Sequence, residues 1–218
     1  MPYGEKTKEQ LIEYSVKAFN FFEKQNVKAV IMACNTTSAV VYEDLKDKFD
    51  FRLYPLIQTV TKTIKDMPIS RIGVFATPAT VNSHAYKNNL PNKEVKEIAC
   101  PTWVKIVESN SQNTALADTE IKEHLTDMLK FKPDKIILGC THYPYLTEQL
   151  SKYAPKDIFI NPSEIYVKAI CEDLKSKNLL NPKTAKGLDK FFVSSEPENF
   201  IISGKMFYDV QNCILLRD

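Results

Sequence analysis

A chain of 218 residues, 44% hydrophobic and 26% charged, is long enough for one large or two small domains with proper cores. Its 29 Lys and Arg against 27 Asp and Glu leave a net charge of +2, which points neither to nucleic acid nor to an anionic membrane surface. The opening Met1-Pro2-Tyr3-Gly4-Glu5-Lys6 lacks the pattern of a secretory signal and no apolar run is as long as a membrane span, so a cytoplasmic protein is expected.

The spacing of Leu11, Tyr14, Ser15, Ala18, Phe21 and Phe22 predicts an amphipathic helix over 7–26. The apolar run 27–33 then reads as a buried parallel strand. Asn35 or Thr36 is placed to cap a helix over 38–49. A short extended stretch with Pro55 covers 53–57, and a helix follows over 60–66. Arg71-Ile-Gly-Val-Phe-Ala76 is a second buried strand, ending in Thr77-Pro78-Ala79-Thr80 before a helix over 81–89. Residues 95–99 and 103–107 read as extended, 114–129 as helix and 136–139 as a third buried strand. Pro144 suits the first turn of the next helix. Residues 158–160 are extended, Ser163 can cap a helix reaching 175, and 191–193 form a last strand before a terminal helix. Strands alternating with helices predict an α/β fold with mainly parallel sheets, in which ligands collect at the carboxyl ends of strands.

Five cysteines, at 34, 100, 140, 171 and 213, show no C-x-x-C pair and do not suggest a disulfide scaffold. Cys140 and His142 have no second pair of ligands with zinc spacing, so no metal is expected. Cys100, Cys171 and Cys213 read as small buried hydrophobes, and His84 and His124 as structural. Cys34 and Cys140 are different. Lys28-Ala-Val-Ile-Met-Ala-Cys34-Asn35-Thr36 and Lys135-Ile-Ile-Leu-Gly-Cys140-Thr141-His142 each run an apolar strand into a cysteine, 106 positions apart, with a helix to follow. At such junctions backbone N–H groups can stabilise a thiolate. Two thiols facing one pocket can take a proton from one side of a carbon and return one to the other, which inverts a stereocentre without a cofactor. Asn35, Thr36, Thr141 and His142 could bind the carboxylate and amine of an amino acid, and His142 could also adjust the nearby thiol.

Val30-Ile-Met-Ala-Cys34-Asn35-Thr36 and Ile137-Leu-Gly-Cys140-Thr141-His142-Tyr143-Pro144 resemble the glutamate racemases of the aspartate/glutamate racemase superfamily. Pro2-Tyr3-Gly4 and Ala76-Thr77-Pro78-Ala79-Thr80 resemble two further motifs of that family, in the family's order, so the resemblance spans essentially the whole chain. It implies that Cys34 and Cys140 are the acid/base thiols assisted by His142. It also implies that Tyr3, Gly4, Asn35, Thr36, Thr77, Thr80, Thr141 and His142 surround bound glutamate. Two similar α/β domains facing across a cleft are implied, residues 1–57 with 162–218 and residues 58–161. The family makes D-glutamate for peptidoglycan, uses neither metal nor pyridoxal phosphate, and is compatible with a homodimer.

Family members begin with a strand ending in Asp-Ser-Gly before the Pro-Tyr-Gly motif. By that comparison the first domain is N-terminally truncated, and weak or absent turnover is expected of these 218 residues alone. Three alternatives stand beside glutamate racemisation. They are an aspartate racemase, a protein that binds ligand without turnover, and a thiol hydrolase or amidase using a Cys–His pair.

Overall fold

The computed structural model describes residues 3–182 and 187–216. Pro2, the first residue of the Pro-Tyr-Gly motif, lies outside them. The chain divides into two compact units, Met1–Leu179 and Leu180–Asp218.

A 3₁₀ turn at Tyr3–Glu5 leads into α1, Lys8–Lys24. Thr7 caps α1 through a reciprocal pair of bonds with Gln10, and Asn26 in the left-handed region ends it. Leu11, Ser15 and Phe19, at four-residue intervals, form its buried stripe, whereas Ala18 is exposed. Strand β1 is Ala29–Met32. The next helix starts earlier than its capping residues suggested. Cys34 itself is the N-cap of α2, Asn35–Val40, and Asn35 and Thr36 form the first turn. The chain then breaks at Val41 into α3, Tyr42–Leu45. Strand β2, Arg52–Pro55, lies parallel to β1 and feeds α4, Leu56–Lys65.

Strand β3 covers Arg71–Ala76, as its apolar run predicts. The expected helix over 81–89 is two short ones, α5 (Pro78–Asn82) and α6 (Ala85–Asn89), broken at His84 with φ of 51°. After β4, Glu94–Ala99, the segment expected to be extended is instead α7, Trp103–Glu108. Its β-branched residues favour a strand locally. Burial of Trp103, Val104, Ile106 and Val107 decides for the helix. Helix α8 (Ala115–Lys130) is capped by Thr114 and precedes β5, Lys135–Gly139. A 3₁₀ turn at Tyr143–Leu146 has Pro144 in its opening, and α9 (Thr147–Leu150) follows. Another 3₁₀ turn, Lys156–Ile158, runs into β6, Phe159–Ile160. Asn161 rather than Ser163 caps α10, Pro162–Ser176.

Strands β4-β3-β5-β6 form one parallel sheet. It is covered on both faces, as parallel sheets require. Phe75, Ile136 and Leu138 pack with Trp103, Leu125, Tyr143 and Leu146 on one side. Ile72, Val74, Ala76 and Ile137 pack with residues of α4, α6 and α10 on the other. Among the described residues β1 pairs with β2 alone. Val30 and Met32 are buried with Leu11, Phe19 and Leu45, while Ile31 between them is 53% exposed.

The unit Leu180–Asp218 contains β7 (Phe192–Val193), α11 (Pro197–Gly204) and β8 (Ile214–Leu215). Strands β7 and β8 pair in parallel, so the helix expected to be terminal is followed by a strand. Cys213 is half-buried. On α10, Cys171 is exposed, against the expectation of a buried hydrophobe, and Cys100 is buried as expected. No helix among the described residues is long and apolar enough to cross a membrane.

Candidate active site

Cys140 follows β5 directly and is 7% exposed. Its sulfur lies 3.7 Å from His142 Nδ1. Burial pushes this thiol up to about 12, and a charge on Cys34 adds in the same direction. The N–H groups of His142 and Tyr143 and the hydroxyl of Thr141 pull the other way. Donors at the strand-to-helix junction are therefore present as expected, but enclosure outweighs them and Cys140 rests as a neutral thiol. His142 Nε2 is 3.2 Å from Glu108 Oε1, the last residue of α7. A ring that donates from Nε2 to Glu108 leaves Nδ1 free to accept from the thiol, so one tautomer serves both contacts.

The first motif lies past the carboxyl end of β1. Cys34 is half-buried between β1 and α2. Tyr3 is exposed over part of its ring; partial desolvation, and then the charge of Cys34, raise its phenol. Thr36, Thr77 and Thr80 are buried and form a ring of hydroxyls. Thr36 and Thr77 are 2.9 Å apart, Thr77 and Thr80 3.1 Å, and Thr80 and Thr36 3.4 Å. Thr77 also caps α5, so the loop after β3 delivers two hydroxyls to the first motif. Gly4 rests against this ring. A Cβ there would meet Thr77 Cβ at 2.8 Å, too close for any other residue without a shift. Asn35 is buried and accepts at Oδ1 from the Tyr86 hydroxyl at 2.6 Å. Its Nδ2 has no partner.

The structure thus joins Cys140, Thr141 and His142 in one cluster and Gly4, Thr36, Thr77 and Thr80 in another, with Cys34 beside Thr36 at the start of α2. Glu108 and Tyr86 are contributors that no motif announces. The only sequence signal for either is a polar group at the end or on the inner side of a short helix. A cavity of about 730 Å³ opens beside Gly4, between Gln58, Pro78 and Ala79, and neither cysteine lines it. Among the described residues no three His, Cys, Asp or Glu side chains are grouped to hold a metal ion.

Comparison with known proteins finds relatives that span most of the chain. The glutamate racemase of Trichodesmium erythraeum is 37% identical over 205 residues, covering 92% of this chain and 75% of that protein. The glutamate racemase of Thermoanaerobacter sp. is 32% identical over 212 residues, 94% of this chain and 79% of its own. Among solved structures, the glutamate racemase of Francisella tularensis in complex with D-glutamate superposes with a TM-score of 0.89 at 29% identity, over 100% of this chain and 84% of that one. Isoform RacE1 of the glutamate racemase from Bacillus anthracis gives 0.90 at 25% identity, over 99% and 84%. Residues 4–170 match the Asp/Glu/hydantoin racemase family, and the chain belongs to it.

Proposed function

We propose that the chain interconverts L- and D-glutamate without a cofactor, using Cys34 and Cys140 as the two proton-transfer groups, and supplies D-glutamate for peptidoglycan in the cytoplasm. The observation that carries this reading is that, in a chain of the racemase family, two cysteines stand just past the carboxyl ends of two parallel strands, Cys34 after β1 and Cys140 after β5.

An α-proton is very weakly acidic, so the base must be strong when ionised. In one direction the Cys34 thiolate removes the α-proton and the Cys140 thiol protonates the opposite face. Cys140 is then the thiolate, held by the His142 and Tyr143 N–H groups and the Thr141 hydroxyl. Its high proton affinity makes it an effective base for the return direction. His142, steadied by Glu108, maintains the Cys140 proton for delivery. Thr36, Thr77 and Thr80 offer hydroxyls, and Asn35 a free N–H₂ group, to the substrate's charged ends. The division into residues 1–57 with 162–218 and residues 58–161, with substrate between the two, is part of this proposal. A Cys–His–Glu grouping would also suit a thiol amidase, but family membership and the second thiol favour racemisation.

The test is α-proton exchange from glutamate in deuterated water, followed by proton NMR, with inversion followed by polarimetry. Cys34→Ser and Cys140→Ser are each expected to lower the inversion rate of the parent by about 10²–10⁴-fold. If either variant inverts glutamate as fast as the parent, the two-thiol assignment fails.

A further inference from the structure

The Tyr86–Asn35 contact joins residues 51 positions apart and is enclosed, with Tyr86 0% and Asn35 2% exposed. Tyr86 belongs to α6 and Asn35 opens α2 beside Cys34. The ring is also fitted to the strand carrying the other thiol. A Cβ on Gly139 would come within 3.1 Å of Tyr86 Cε2, so the absence of a side chain there makes room for the phenol. Burial holds the phenol well above its ordinary range, and the charges of Cys140 and Glu97 raise it further, so it stays a hydrogen donor.

Hydrogen-bond accounting then sets the direction of the carboxamide. With Oδ1 toward the phenol, one buried group lacks a partner, Asn35 Nδ2. If the carboxamide were turned over, Nδ2 would meet the phenol oxygen, and both the phenol hydrogen and Oδ1 would be left unpaired. The observed orientation is the one that leaves only a donor unsatisfied, and an anionic acceptor is what such a donor would take.

We propose that Tyr86 is a positioning residue, whose buried hydroxyl fixes the Asn35 carboxamide so that its N–H₂ group, and not its oxygen, meets a carboxylate of the substrate. This rests on the reading that an amino acid binds beside Cys34. Tyr86 touches no reacting atom and acts only through Asn35.

The experiment measures L-glutamate binding by calorimetry for the full chain, Tyr86→Phe, Asn35→Ala and the double variant. It also records side-chain ¹⁵N–¹H NMR spectra of the free proteins. Tyr86→Phe keeps the ring and removes one oxygen. It is expected to weaken binding about tenfold, and to cost nothing further once Asn35 is Ala. In the free parent, a slowly exchanging Tyr86 hydroxyl proton should show a cross-peak to Asn35, and the Asn35 N–H₂ pair should not flip. In Tyr86→Phe that pair should begin to flip. Unchanged affinity in Tyr86→Phe, or an equal loss in the Asn35→Ala background, overturns the proposal. A parent that binds no glutamate counts against the substrate reading instead, and the NMR spectra then decide the role of Tyr86. A rigid Asn35 carboxamide in Tyr86→Phe overturns it.

Discussion

The N–H groups of His142 and Tyr143 and the hydroxyl of Thr141 favour a thiolate at Cys140, while its enclosure favours the thiol. With the balance at about 12, the thiolate fraction at pH 8 is about a thousandfold below that of an ordinary cysteine. Iodoacetamide at pH 8 should therefore modify the exposed Cys171 readily and leave Cys140 intact, as read by peptide mass mapping. Labelling of Cys140 as fast as Cys171 would contradict its neutral state. At this scale the sequence showed the thiols and their polar neighbours, because each motif is local. It did not show Glu108 or Tyr86, whose partners His142 and Asn35 are brought to them only by packing. It also named donors near Cys140 without showing the burial that outweighs them.

Elements whose local preference and packing agree were legible. Strand β3 is continuous and apolar and is buried along nearly its whole length, so its limits could be read directly. Where the two disagree, packing decides. Trp103 to Val107 has the composition of a strand, yet α7 fills the space between Phe75, Tyr143 and His124. The left-handed turn at His84 has no glycine to announce it. The tie between β2 and α10 was equally hidden. Arg52 grips the Asp173 carboxylate at 2.9 Å and 2.5 Å, and Tyr54 donates to it at 2.6 Å. The Tyr54 and Arg52 bonds lower the Asp173 carboxyl below its ordinary range. A depressed carboxyl stabilises the fold above its unfolded value, about 3.9, and loses that contribution as pH falls through the folded one. Asp173→Asn should cost about 1 kcal/mol at neutral pH in urea unfolding. The parent and variant stability curves should begin to converge as pH falls below about 4 and meet once it passes the lowered folded value. A gap that does not narrow as pH falls from neutral through this range would mean that charge is not what holds β2 to α10.

Within the unit Met1–Leu179 the same arrangement occurs twice, and this was visible as a repeated strand–cysteine pattern. In each copy the cysteine-bearing strand pairs in parallel with the strand that follows it, β1 with β2 and β5 with β6. The copies differ in one respect that no residue pattern reveals. Strand β5 is hydrogen-bonded on both sides, by β3 and β6, while β1 has one neighbour among the described residues. Among the described residues, amides of 29–32 that face away from β2 have no ladder partner and should take up deuterium sooner than those of 135–139, as peptide-resolved exchange would register. Equal protection of the two segments would show that the difference in pairing has no dynamic consequence. With the slower exchange at 135–139 and the proposed pair of thiols, the grip on an inverting carbon would resemble a vice with unequal jaws. The sulfur at 140 would be bolted into the stiffer plate, and the sulfur at 34 would sit on a leaf able to yield as the carbon passes from one hand to the other.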